Sequence, residues 1–491
     1  MPRPLDTRFF GHPIGLSTLF FTEMWERFGY YGMRALLILF LVAPVSSGGL
    51  GMDVLAAGSI YGLYTASVYL VSLPGGWLAD RFLGQRRAVL YGGILIAIGY
   101  LMLAAPDVRV FYTGLCVVVA GTGLLKPNIS TIVGQIYRAE DTRRDSGFSI
   151  FYMGINVGAT IAPLICGYVG QRINWHWGFA IAGIGMTLGV VQYWFGQRYL
   201  AEAGLHPVTP ASPEEARSQR TWLRGGLLGV LAVAAAMTVL HLTGIVPLNP
   251  VLLVNAMGVL LFIIVALLFA WMLLGGDWTP VERKRLAAIL VLFIAASLFW
   301  SAFEQAGSSL NLFAERSTDN HILGFAFPSS WFQSLNSFFI VAVAPMLAWL
   351  WLRLGSRQPS SPAKFALGLM FVGMGYVVLF FGATLSAGGA KVTPLFLMVT
   401  YLMHTIGELC LSPVGLSAIT KLAPARVGSL MMGVWFVSIS VGNYLGGRLA
   451  SVYGTLPVPV LFGLVAGFSM LAGLCLFVIA KPVTRLMGGV K

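Results

Sequence analysis

The sequence predicts an all-α, polytopic membrane fold, and three observations carry that prediction. Hydrophobic residues make up 57% of the 491 and charged residues only 10%, against roughly 25% charged in soluble domains. Apolar runs long enough to cross a bilayer recur from one end of the chain to the other. Glycine is abundant, at 59 residues, as expected where helices in lipid must pack closely without a hydrophobic drive between them.

In chain order, hydropathy predicts about fourteen spans. Six lie near 17–42, 54–79, 87–105, 108–136, 147–170 and 175–197. A polar stretch from Glu202 to Arg224 follows, then two very apolar spans near 225–243 and 250–274. Six more lie near 285–312, 329–352, 364–386, 392–420, 428–452 and 457–480. The chain thus divides into a first six-helix bundle over 1–200, a linker with two extra helices over 201–280, and a second bundle over 281–491. Two related halves with a site between them are a common transporter plan. A short echo, Leu83-Gly84-Gln85-Arg86 and Leu354-Gly355-Ser356-Arg357, follows the second span of each half.

The formal charge of +13 does not mark a nucleic-acid binder, because the basic residues are scattered through short loops rather than forming a patch. Arg27, Arg34 and Lys126 fall inside spans, and Arg109, Arg172, Arg316, Lys391 and Arg448 fall on one predicted side. The remaining Lys and Arg fall on the other, with both termini, which is the positive-inside signature of a cytoplasmic face. Cys116, Cys166, Cys410 and Cys475 lie within apolar spans without disulfide or metal spacing and read as buried thiols. The six histidines, His12, His176, His206, His241, His321 and His404, are dispersed with no metal-ligand pairing. The start, Met1 to Pro13, lacks the pattern of a cleaved signal, so the first helix is expected to be retained.

One stripe stands out. Glu23, Glu26, Arg27, Tyr30, Tyr31 and Arg34 share one side of the first helix, over a length of roughly 16 Å. Charges at that depth are costly unless paired or facing water, and so mark an ion or substrate path. Across all spans the acids are Glu23, Glu26, Glu304 and Glu408 and the bases Arg27, Arg34 and Lys126. One carboxyl is left without a basic partner. Burial disfavours its charged form, which makes at least one of these acids a candidate proton carrier.

Longer motifs narrow the reading. Gly75-Gly76-Trp77-Leu78-Ala79-Asp80-Arg81-Phe82-Leu83-Gly84-Gln85-Arg86-Arg87 resembles the signature loop of the major facilitator superfamily. Its Asp80 and arginines suggest an ion-pair latch at the membrane edge. Glu23-Met24-Trp25-Glu26-Arg27-Phe28-Gly29-Tyr30-Tyr31-Gly32 resembles the ExxERFxYYG motif of the proton-dependent oligopeptide transporters, a branch of that superfamily. The segments 121–128, 151–159, 299–305 and 407–413 resemble further signatures of the same family in the same order. The resemblance implies the superfamily's two six-helix bundles, with the two extra central helices of bacterial members. It implies proton-coupled uptake of di- and tripeptides across the inner membrane by alternating access, in a functional monomer with no metal or cofactor.

By the same resemblance, Arg27, Lys126 and Tyr31 would hold a peptide carboxylate, and Asn156, Asn336 and Glu408 its amino group. Tyr30, Tyr69, Trp300 and Trp435 would line side-chain pockets. Glu23, Glu26, Arg27, Arg34 and Glu304 would couple protons, while Asp80 and the Arg34–Glu304 pair would gate. On the seventh core helix, Trp300, Glu304, Ser308 and Asn311 are expected on one continuous face. Two features depart from the family. Ser337 follows Asn336 where a proline is usual, and the second span lacks the histidine of animal relatives. His404, four residues before Glu408, could tune that carboxylate or be a histidine satisfied by a polar neighbour. Rival readings are a small-anion carrier on the same fold, a drug exporter, and a membrane-embedded acyltransferase.

Overall fold

The computed structural model describes residues 6–138, 141–210, 212–244, 250–275, 277–322, 324–424 and 428–488. The first half comprises α1 (Gly15–Val42), α2 (Val54–Leu70), α3 (Ser72–Leu78), α4 (Gln85–Leu103), α5 (Val108–Gln135), α6 (Arg144–Arg172) and α7 (Trp175–Gly196). The inserted pair is α8 (Pro213–Leu242) and α9 (Pro250–Leu274). The second half comprises α10 (Pro280–Phe303), α11 (Ser309–Ser317), α12 (Ser334–Leu354), α13 (Ser361–Ser386), α14 (Leu395–Leu422), α15 (Gly428–Ser451) and α16 (Val458–Leu486). A two-stranded hairpin, β1 (His321–Ile322) with β2 (Phe325–Ala326), sits between α11 and α12.

Short polar side chains start several helices by taking amides that have no partner within the helix. Asp53 accepts from the Ala56 amide at 2.7 Å, Asp107 from Arg109 at 2.8 Å, and Asn174 from His176 at 2.9 Å. Thr279 and Glu282 close a reciprocal capping box at α10. Among the described residues, twelve helices are long and apolar enough to span a membrane. The first is not one of them, because Glu23, Glu26, Arg27 and Arg34 interrupt it. It is nevertheless buried along most of its length.

Two predicted spans are broken. The second bends at Val71 and ends in a wide turn over Ala79–Leu83. The seventh core span, expected to be continuous, breaks after Phe303 into a tight 3-10 turn, Glu304–Gly307, and resumes as α11. The break brings backbone against a charged side chain. A Cβ on Gly307 would lie 2.8 Å from Arg34 Nε, so only glycine allows the approach. Elsewhere the halves meet backbone to backbone: a Cβ on Gly62 of α2 would lie 2.6 Å from the Gly447 Cα of α15.

The linker after α7 is strapped onto the α3–α4 turn. Arg86, buried, donates through Nε to the Ala203 carbonyl at 2.6 Å and through Nη2 to that of Ala201. Gln135 accepts from the Gly204 amide at 2.7 Å, and the Val208 amide donates to the Asp80 carbonyl at 2.7 Å. Arg81 reaches α8, pairing with Glu215 at 2.8 Å. Among the described residues, the Asp80–arginine latch expected from the motif is not formed. Arg81 and Arg86 are engaged elsewhere, and the Asp80 carboxylate accepts from Gln85 at 3.0 Å. The cysteines also differ from expectation. All four are free thiols, but only Cys166 and Cys410 are buried, while Cys116 and Cys475 are exposed on the outside of the helices.

Candidate functional site

The stripe on α1 faces the centre of the molecule. Arg27 Nε lies 2.9 Å from Glu23 Oε1 and is paired with Glu26 as well, all three side chains being almost wholly buried. Both ion pairs meet the guanidinium at Nε, and Arg27 Nη2 has no hydrogen-bond partner among the described residues. The Tyr30 ring lies 5.6 Å from this guanidinium. Lys126, on α5 beside Pro127, rests its ammonium 3.6 Å from the Tyr69 ring centre. That contact is a cation–π interaction, with no carboxylate in ion-pair range of Lys126 among the described residues.

Two turns further along α1, Arg34 Nη2 pairs with Glu304 Oε2 at 2.8 Å, joining the halves with both side chains buried. Arg34 Nε also donates to the Tyr61 hydroxyl at 2.9 Å, and Nη2 to the Glu304 carbonyl at 3.4 Å. The break at Glu304–Gly307 puts this carbonyl within reach of the guanidinium. Asn311 of α11 donates to the Ala35 carbonyl at 2.8 Å. The expected Trp300–Glu304–Ser308–Asn311 face is thus not one helical stripe. Glu304 and Asn311 still both reach α1, from either side of the break.

A second seam lies on the same face, away from the termini. Gln171, near the end of α6, donates to Glu315 at 3.0 Å and to Ser329 Oγ at 2.9 Å, and accepts from the Ser330 amide at 3.0 Å. Trp331 Nε1 donates to the Leu164 carbonyl at 3.1 Å and Ser334 Oγ to that of Thr160 at 2.7 Å. Neither Tyr61 nor Gln171 is singled out by the sequence. A lone tyrosine or glutamine near a span end carries no periodic or charge signal.

On the other half, Asn336 donates to Glu408 at 2.9 Å and to Thr405 at 3.1 Å. Ser337 in place of proline does not prevent this. A 3-10 turn over Ser329–Gln333 precedes α12 and puts Asn336 in its first turn. Asn156, by contrast, donates to the Tyr152 carbonyl of its own helix at 3.0 Å. The Tyr31 ring lies 5.7 Å from Arg34. Tyr31 and Arg34 line a small cavity with Phe303, Gln333, Asn336 and His404. His404 is buried with its ring 5.1 Å from Tyr376 and 6.2 Å from Phe303, and it packs against Gly375. Trp300 and Trp435 are both buried, Trp300 edge-on to Phe299 and Phe303 and Trp435 against Gly415.

The four acids and three bases are therefore distributed unevenly. Arg27 holds two carboxylates and Arg34 one, while Lys126 and Glu408 sit in opposite halves without an ionic partner among the described residues. Buried charge of this kind is unstable until something complementary arrives.

Residues 86–459 match the sequence profile described as the POT family. The chain is 42% identical to the peptide transporter YePEPT of Yersinia enterocolitica over 99% of its length and 98% of that protein's. It is 37% identical to a di-/tripeptide transporter of Lactococcus lactis, over 99% of both chains. A crystal structure of a peptide transporter POT in complex with sulfate superposes with a TM-score of 0.93 at 42% identity, covering 98% of each chain. With bundles, inserted helices and ionic stripe arranged as described, the chain belongs to the POT family, within the major facilitator fold.

Proposed function

We propose that the protein is a proton-coupled symporter that imports di- and tripeptides across the bacterial inner membrane by alternating access. It works as a monomer with both termini in the cytoplasm, and it does no covalent chemistry on its cargo. The observation that carries this reading is the pair of unmatched buried charges. A peptide zwitterion supplies a carboxylate for Lys126 and an ammonium for Glu408, which lie on opposite halves. The names of the relatives, peptide and di-/tripeptide transporters, support the same cargo.

Lys126, Arg27 through its free Nη2, and Tyr31 receive the carboxylate; Glu408, Asn336 and Asn156 receive the amino group. Tyr30, Tyr69, Trp300 and Trp435 line the space between, where aromatic faces give contact without demanding one shape. Residues 1–200 and 281–491 rock as two units, and 201–280 links them without lining the path.

Coupling follows from Arg27 being shared. While Glu23 and Glu26 are both ionised they hold the guanidinium, and a proton on Glu26 releases it towards the cargo. Bound peptide then favours closure through Arg34 and Glu304 on the outer side. A ligand moves such an equilibrium only by its differential affinity for the two states. Once the proton leaves towards the cytoplasm, the restored Arg27–Glu26 pair expels the peptide.

The test is Glu26→Gln in proteoliposomes. Accumulation of labelled dipeptide against its gradient is expected to disappear, while exchange of internal for external dipeptide persists. Undiminished gradient-driven accumulation would remove Glu26 from coupling. In the same vesicles, N-acetylation of the dipeptide is expected to abolish competition, and equal competition would refute the Glu408 assignment.

A further inference from the structure

A second charged cavity lies at the membrane face that carries the termini. It has a volume of about 480 Å³ and is formed where the α12–α13 loop meets α13 and α14, a size typical of small-molecule sites. Its polar lining is Gln358, Ser360, Ser361, Lys364, Ser417 and Lys421, and no carboxylate is among the described residues around it. Lys364 is only 9% exposed, yet its ammonium is held by a neutral oxygen, Gln358 Oε1 at 2.8 Å, and by the Trp351 ring at 4.6 Å. A buried ammonium without a counter-charge invites an anion.

The cavity is not part of the peptide path. At 100° per residue, Pro413, Val414, Ser417, Ala418 and Lys421 lie between roughly 140° and 280° around α14 from Glu408. The two helices run antiparallel, and each offers a serine and a lysine about one turn apart. Ser361 and Lys364 rise into the membrane along α13, while Ser417 and Lys421 descend along α14. Lys421 therefore stands at the mouth and Lys364 about a turn deeper, with the serine hydroxyls between them. The Ser360 side chain does not cap its own helix. Lysines at two depths with interleaved hydroxyls match the several oxygens of a phosphate group better than a single carboxylate.

We propose that this cavity binds a phosphate-bearing anion, taken from a lipid headgroup of the adjoining leaflet or from soluble phosphate. Basic pockets between helices at such a face are suited to anionic headgroups.

The experiment follows the Tm of the purified full-length protein in neutral detergent, with dioctanoyl phosphatidylglycerol, dioctanoyl phosphatidylcholine and inorganic phosphate titrated at constant ionic strength. Wild-type protein is expected to show a saturable rise in Tm with phosphatidylglycerol. Half-saturation is expected to weaken about fivefold or more in Lys364→Gln, the loss of one lysine contact. Ser417→Leu, which fills the cavity without removing charge, is expected to weaken it as well and covers the case in which Lys364→Gln does not fold. Saturation by inorganic phosphate with the same dependence on both variants assigns the soluble source, and saturation by phosphatidylglycerol alone assigns the headgroup. The proposal is overturned if no probe saturates, if phosphatidylcholine acts equally, or if both variants bind as tightly as wild type.

Discussion

Gln171→Leu removes the side-chain amide that ties the end of α6 to Glu315, Ser329 and Ser330 of the other half. The three bonds are not equivalent. Glu315 is exposed, so water replaces its bond at little cost, whereas Ser330 is fully buried and its amide would be stranded. An unsatisfied buried N–H costs about 1–3 kcal/mol, and the Ser329 bond adds about 0.5–1.5. The penalty falls only on the closed arrangement, because opening this face wets the same groups. A destabilisation of about 2 kcal/mol corresponds to roughly a thirtyfold shift of the closed-to-open ratio. Nitroxide labels at Val45 and His321, with Cys116 and Cys475 replaced by serine, would report it as a growing long-distance population in pulsed electron–electron resonance. Gln171→Glu sets two carboxylates against each other and should open the face further. Combining Gln171→Glu with Glu315→Gln exchanges the two groups, so the carboxylate on α6 again meets an amide donor as well as Ser329 and Ser330, and the short distance should return. An unchanged distribution in Gln171→Leu, or a double variant no better than Gln171→Glu, refutes the reasoning.

Other perturbations have different signatures. Glu304→Gln breaks a buried pair whose loss typically costs about 3–5 kcal/mol. Tyr61 and the Glu304 carbonyl still hold Arg34, so an effect at the lower end is expected, read as the same long-distance population with slowed peptide uptake. Asn336→Leu strips Glu408 of its amide donor and should raise the KM for a dipeptide about tenfold, a loss of about 1.4 kcal/mol. Unchanged KM would exclude that pair from recognition. On the strap, Glu215→Gln breaks an ion pair about one-third exposed on each side and should move Tm little. Arg86→Leu strands two carbonyls and should lower Tm by several degrees; equal effects would contradict the ranking. His12 is buried with Nδ1 2.8 Å from the Tyr137 hydroxyl, and burial together with Arg143 pushes its pKa below the ordinary value. The folded chain therefore prefers neutral His12, and the unfolded chain binds the proton more readily. This contribution to stability is present above the usual histidine pKa and lost as pH falls through the lowered one. In His12→Gln the Tm difference between pH 8 and pH 5 should shrink, as scanning fluorimetry would measure.

Much of this protein is legible in its sequence because lipid leaves few options. Backbone polar groups inside a bilayer must be satisfied within helices, so apolar run length alone placed the spans, and a charge within a run marked the path. Glu23, Glu26, Arg27 and Arg34 needed only helical periodicity to fall on one stripe. Periodicity failed where the chain breaks. The seventh core span reads as a continuous helix, but it breaks at Glu304–Gly307 and thereby exposes a carbonyl to Arg34. Pairing between distant segments also lay beyond the sequence. That Arg27 would hold two acids, that Glu408 would take Asn336 rather than a base, and that Gln171 would bridge the halves depends on which helices face each other and at what depth. The sequence settled which residues carry charge into the membrane; tertiary packing settled which of those charges remain unmatched, because ion pairing depends on ångström-scale approach between chain segments that periodicity cannot relate.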